Sequence, residues 1–168
     1  MKASKQMYIL SAVLILAAAL PLSAATTATL SLSGVVPAVL EISVTPELVA
    51  SNLPITTTVS DLAVATVLER SNKKAGYTVS LESASAKARG TALPAFVSAE
   101  SSDVLSYSIS YDGNAVSFSS GSAVVSSEKT RTGMSGISRA VTVSFDGASA
   151  FLDESTYSDT LTFTISAK

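Results

Sequence analysis

The chain has 168 residues, of which 47 % are apolar and only 14 % charged, with a formal net charge of −2 and no Cys, His or Trp. Without Cys there is no disulfide framework, thiolate nucleophile or Cys-based zinc site. Without His there is no imidazole base for Ser-His-Asp or Cys-His catalysis, and a slightly acidic chain lacks the basic face of a nucleic-acid binder.

Residues 1–25 read as a secretory signal peptide. Lys2 and Lys5 form a positive leader, and Met7 to Leu20 is apolar except for Ser11. Pro21 follows, and Ser23-Ala24-Ala25 fits a small-x-small cleavage site, with Leu22-Ser23-Ala24 as the alternative. The competing reading is a retained anchor, but the apolar run is short for about 30 Å of hydrocarbon. Removal of this segment takes away two lysines. Residues 26–168 then form one domain, secreted to the periplasm or cell surface, with no membrane span after signal cleavage.

Strand-like alternation runs through that domain. Leu30 and Leu32 alternate with Thr29, Ser31 and Ser33. Leu40, Ile42 and Val44 follow, then Asp61–Arg70, which reads as a buried strand or a short helix. The β-branched residues there favour a strand, joined to the next by a hairpin turn at Ser71–Gly76. Tyr77, Val79 and Leu81 form the next row. Leu105, Tyr107, Ile109 and Tyr111 form another, placing Tyr107 and Tyr111 inward. Asp112-Gly113-Asn114 is a hairpin signal leading into Val116 and Phe118. Val141, Val143 and Phe145, then Leu161, Phe163 and Ile165, complete the set. Residues 84–102 and 120–136, rich in Ser, Ala and Gly, read as loops or short edge strands.

Each strand puts one apolar row inward and one hydroxyl row outward. The expected fold is therefore all-β, an antiparallel immunoglobulin-like sandwich of about seven to nine strands after an N-terminal signal helix. A jelly roll is the alternative. Phe163 and Ile165 should point inward, with Val141 and Val143 nearby or across the sandwich.

Candidate chemistry is sparse. Ser71–Lys74 and Ser126–Lys129 match S-x-x-K, but neither lies on a predicted helix and no Ser-Asp-Asn or Lys-Thr-Gly partner follows. Gly133-Met-Ser-Gly136 lacks a full nucleophile elbow. Asp153 and Glu154 are adjacent and would point apart on a strand, unlike a glycosidase pair. Asp112 and Asn114, with Asp103, Asp146 and Asp153, could serve calcium at loop ends, although turn formation explains them better. Lys73-Lys74 is too small a cluster for a polyanion site. Tyrosine could contact sugar, but inward packing explains it better, and Trp is absent. No catalytic, cofactor-binding or metal-binding residue is assigned, and no cofactor is expected.

The C-terminal stretch Ser155-Thr-Tyr-Ser-Asp-Thr-Leu-Thr-Phe-Thr-Ile-Ser-Ala-Lys168 resembles the end of bacterial spore-coat-U-like and fimbrial subunits. Ala28-Thr-Leu-Ser-Leu-Ser-Gly-Val-Val-Pro37 is similar to their alternating N-terminal segment. The chain departs from the family in having Glu154-Ser155 where a Gly commonly precedes Thr-Tyr, and in lacking the Cys of many members. The resemblance implies an exported, non-enzymatic structural subunit of a surface or fimbrial structure. Its partners would be copies of itself or other surface subunits, with a periplasmic chaperone and an outer-membrane usher. An extended segment can complete a neighbour's sheet edge, and Ala28, Leu30, Leu32 and Gly34 form one such face. The same segment could equally be the domain's own first strand. A monomeric binding module for a carbohydrate or surface polymer is the alternative function.

Overall fold

Alternation becomes pleated strand wherever one face can be buried, and the computed structural model, which describes residues 26–168, bears this out for most of the chain. The signal segment expected over residues 1–25, with its helix, lies outside the described residues. The chain divides after Val35 into two units. Of the first, residues 26–35 carry no helix or strand and are exposed throughout.

The second unit, Val36–Lys168, is an antiparallel β-sandwich. Its strands are β1 (Leu40–Pro46), β2 (Thr58–Ser71), β3 (Tyr77–Ser83), β4 (Ala95–Ser98), β5 (Val104–Tyr111), β6 (Asn114–Ala115), β7 (Ser122–Glu128), β8 (Ile137–Asp146), β9 (Tyr157–Ser158) and β10 (Leu161–Ala167). One sheet has the order β1-β2-β8-β5-β4-β9, with the short β6 paired to β5. The second has the order β10-β3-β7. The count exceeds the expected seven to nine through β6 and β9, each only two residues long.

The inward rows are those the alternation predicts. Tyr77, Val79 and Leu81 of β3, Leu105, Tyr107, Ile109 and Tyr111 of β5, and Val141, Val143 and Phe145 of β8 are all buried. Phe96 stacks on Tyr107 with ring centroids 4.2 Å apart and meets Phe145 edge-on at 5.5 Å, geometries that aromatic quadrupoles favour. Phe163 packs on this core from the second sheet, 6.0 Å from Tyr111, and faces Val141 and Val143 across the cavity between the sheets. It is half-buried, because β10 is an edge strand.

Three local expectations are corrected. Ser71–Gly76 is not a hairpin turn, because β2 and β3 belong to different sheets. It is a corner, and Gly76 makes it possible: with φ +86°, its α-carbon lies where an added Cβ would be 2.0 Å from the Glu128 carbonyl oxygen. Within 84–102 lies a helix, α1 (Ala84–Arg89), capped by Ser83 accepting from the Ala86 N–H at 3.1 Å and ended by Gly90 in the left-handed conformation. Val116 and Phe118 do not continue a strand: after the two-residue turn Asp112-Gly113, both at positive φ, pairing stops at Ala115. Phe118 is nevertheless buried in the core.

Residues 61–70 are strand, as their β-branched residues predict, but the pairing of β2 with β8 slips twice, between Val59 and Leu62 and between Ala63 and Ala65. Asp61, at φ 50°, sits in the first slip. Each bulge inserts one residue and exchanges the two faces of the strand. Leu62 and Val64 turn toward the core before the second slip. After it, Val67, Glu69 and Ser71 are the buried residues and Leu68 is not. A carboxylate is thereby carried into the sandwich.

Candidate functional site

Three carboxylates anchor the sandwich, and every tyrosine among the described residues donates to one of them. Glu69, with no exposed surface, accepts from Tyr111 Oη at 2.5 Å, Tyr77 Oη at 2.8 Å and Ser126 Oγ at 3.2 Å. Arg139 Nε stands 3.7 Å from its Oε2, an ion pair too long to be a hydrogen bond. The same guanidinium donates to Asp112 at 2.5 Å and Glu128 at 2.6 Å. Burial disfavours the Arg139 charge, but Asp112, Glu69 and Glu128 outweigh it and hold the pKa above its ordinary value. Burial first, and the Glu69 carboxylate second, push the Tyr77 and Tyr111 phenols far above theirs.

Asp159, between β9 and β10, accepts from Ser83 Oγ at 2.6 Å, Tyr107 Oη at 2.7 Å and Ser85 Oγ at 2.9 Å. It also takes the Ser85 and Thr160 backbone N–H groups at 2.9 and 2.7 Å. Tyr107 is pushed far up by burial and by this carboxylate. Asp103 accepts from Tyr157 Oη at 2.6 Å and the Asp153 N–H at 3.1 Å. Those bonds hold Asp103 below the usual carboxylate range, while burial and Asp103 push Tyr157 up to about 12.

These networks are consumed in holding strands together. Ser126, from one S-x-x-K match, is bound to Glu69. Ser71, from the other, accepts the Lys73 N–H at 3.1 Å. Neither match lies on a helix. Of the calcium candidates, Asp103 and Asp153 come together, but Asp112 pairs with Arg139 at the other end of the sandwich. Among the described residues no cluster of three or more side chains could hold a metal ion.

One feature open to a partner is a groove between the sheets. It has a volume of about 290 Å³, is lined by Val44, Val64, Phe96, Val143, Leu161 and Phe163 among others, and has Asp159 and Tyr107 at its polar margin. It lies between β1 and β10, each paired on one side only. A strand with an unpaired side presents free N–H and C=O groups to any extended chain that approaches. The candidate face Ala28, Leu30, Leu32 and Gly34 is solvent-exposed: Leu30 and Leu32 are 83 and 86 % accessible, and nothing stands within 4 Å of where a Gly34 side chain would be.

Strand register also sorts the charges, which the linear sequence hides. Glu69 pairs with Ile137 at one end of β8, and Thr58 with Asp146 at the other. At the first end the Ser71–Gly76 corner meets the β7–β8 loop, with the Thr132 N–H on the Ser71 carbonyl at 2.9 Å and the Lys168 N–H on the Gly76 carbonyl at 3.3 Å. Lys73-Lys74 is thus joined by Lys129, Arg131 and Lys168, while the acids at this end, Glu41, Asp112 and Glu128, are paired with Arg70 and Arg139. At the far end stand Glu100, Asp103, Asp146, Asp153 and Glu154, placed by the register of β4, β5 and β9.

No protein-family model matches the chain, and no curated protein matches it. Among the described residues no helix is long and apolar enough to cross a membrane.

Proposed function

We propose that the protein is an exported, non-enzymatic structural subunit of a bacterial surface or fimbrial structure, assembling by β-strand addition. The observation that carries this reading is a pair of complementary features in one chain. Residues 28–35 form an exposed, alternating segment, and the sandwich has an apolar groove flanked by the free edges of β1 and β10. The segment of one copy pairs with a free edge of another, its backbone supplying affinity and Leu30 and Leu32 covering the groove. The signal-like residues 1–25 and the resemblance of both ends of the domain to fimbrial subunits support export and assembly. A periplasmic chaperone and an outer-membrane usher are the partners this reading expects. The fully engaged carboxylates support a scaffold rather than an enzyme.

Size-exclusion chromatography with light scattering tests the proposal. At about 1 M salt, where contacts between charges are screened, replacing Leu30 and Leu32 by Asn should abolish oligomers and leave the sandwich's unfolding midpoint unchanged. A protein that stays monomeric at every concentration would point instead to the monomeric binding module for a carbohydrate or surface polymer.

A further inference from the structure

Two surface features that strand addition does not use are complementary to each other. At the acidic end, the loop between β8 and β9 carries Phe151, whose side chain is fully exposed, with Asp153 and Glu154 two and three residues on. At the basic end is a cleft of about 540 Å³, lined by Val36, Arg70, Asn72, Arg131 and Met134 among others. Its size falls within the range of pockets that take organic ligands, about 300–1,000 Å³. Met134 is 88 % exposed there.

A single exposed apolar side chain is ordinary; what sets these two apart is the charge around them. Here the apolar residue at each end is flanked by charges of opposite sign. Lys73, Lys74, Lys129 and Arg131 make no ion pair among the described residues, nor do Glu100, Asp153 and Glu154, so these charges are not already spent within the molecule. The ten residues of β8 separate the two ends by about 30 Å at 3.3 Å per residue. That is nearly four Debye lengths of about 8 Å at physiological salt, so the ends do not neutralise one another within one copy.

We infer that copies of this chain associate head to tail, the Phe151 loop of one copy seating in the basic cleft of the next. Phe151 would lie against Met134, a contact that thioether sulfur and aromatic rings favour. Asp153 and Glu154 would face Arg131 and Lys74. Because the two surfaces differ and sit at opposite ends, the contact is heterologous and propagates along a line or closes into a ring. It uses neither residues 28–35 nor the groove between β1 and β10.

Sedimentation velocity tests this in the Leu30→Asn/Leu32→Asn background, which silences strand addition. At about 10 mM salt that protein should form species larger than a dimer, and at about 1 M salt, where the Debye length is about 3 Å, it should shift toward monomer. Phe151→Ser, the pair Asp153→Lys/Glu154→Lys, and the pair Lys74→Glu/Arg131→Glu should each give monomer with an unchanged urea midpoint. Mixing the last two variants should restore species larger than a dimer, since the unchanged ends attract one another and the two reversed ends do so as well. Monomer at low salt in the background protein, or association that survives both charge reversals, would overturn the inference. Binding of heparin at the basic end without any self-association would overturn it too, and would assign that end to a polyanion.

Discussion

Tyr77 and Tyr111 come from different sheets and donate to the two oxygens of one carboxylate, Glu69, at 2.8 and 2.5 Å. The carboxylate reaches them because β2 slips register against β8 and turns Glu69 inward. Arg139 then connects this buried charge to Asp112 and Glu128 at the surface. One end of the sandwich is thus fastened by a polar network rather than by apolar packing.

Removing that carboxylate should be costly. Glu69→Ala leaves two phenols and the Ser126 hydroxyl without their acceptor and takes one of three carboxylates from Arg139. Breaking a buried ion pair from one side costs about 3–5 kcal/mol. Tyr77→Phe and Tyr111→Phe each remove one donor while leaving the charge, and should cost about 1–3 kcal/mol. The two should be non-additive in a double-mutant cycle, since they share one acceptor. Urea unfolding midpoints measure all four proteins; a Glu69→Ala variant as stable as wild type would refute the fastening role.

The raised phenols make stability sensitive to alkali. In the unfolded chain a tyrosine loses its proton near pH 10. In the folded chain Tyr77, Tyr107 and Tyr111 hold theirs well beyond that, and Tyr157 holds its proton up to about pH 12. Above pH 10 the unfolded state therefore binds fewer protons. The stability these groups contribute is complete below pH 10 and falls as pH rises toward the folded values. Each of the three buried phenols contributes a slope of about 1.4 kcal/mol per pH unit in that window. Urea midpoints between pH 9 and 12, read beside tyrosinate absorbance, should fall together with the appearance of the unfolded chain. Tyrosinate forming in the folded protein near pH 10 would contradict the networks.

Strand parity in β10 is open to a paired test. Phe163 lines the groove and packs on Tyr111, while Thr162 faces solvent. Full burial of a Phe makes truncation cost about 3–5 kcal/mol. Half-burial should bring Phe163→Ala below that range yet leave it clearly destabilising. Thr162→Ala should stay within about 0.5 kcal/mol of wild type. Equal thermal midpoints for the two variants would show the parity to be reversed.

The strands legible in the sequence were those whose alternation is unbroken, such as Tyr77–Leu81, Leu105–Tyr111 and Val141–Phe145. A regular period has only one assignment of faces, so the core follows from it. Glu69 was not legible, because strict alternation from Leu62 and Val64 puts Leu68 inside and Glu69 outside. The bulge that reverses this depends on β8, which lies some seventy residues away. Helix α1 did leave a local signal, Ser83 as cap and Gly90 as stop around an Ala-rich stretch, but six residues are too few to show a helical period. The basic end was invisible for another reason. Lys73-Lys74 is a minor pair in the sequence, and only the meeting of the Ser71–Gly76 corner with the β7–β8 loop and Lys168 gathers the rest.

Assembly by strand addition rests on one segment changing its state, and hydrogen exchange measures that state directly. The amides of residues 28–35 belong to no strand, and the free side of β10 is paired with no strand. Amide exchange followed by mass spectrometry across a concentration series of the purified protein should show residues 28–35 exchanging freely when dilute. Residues 28–35 and β10 should then gain protection together as concentration rises, and the Leu30→Asn/Leu32→Asn variant should show neither gain. Free exchange of residues 28–35 at every concentration, while oligomers form at about 1 M salt, would contradict the account.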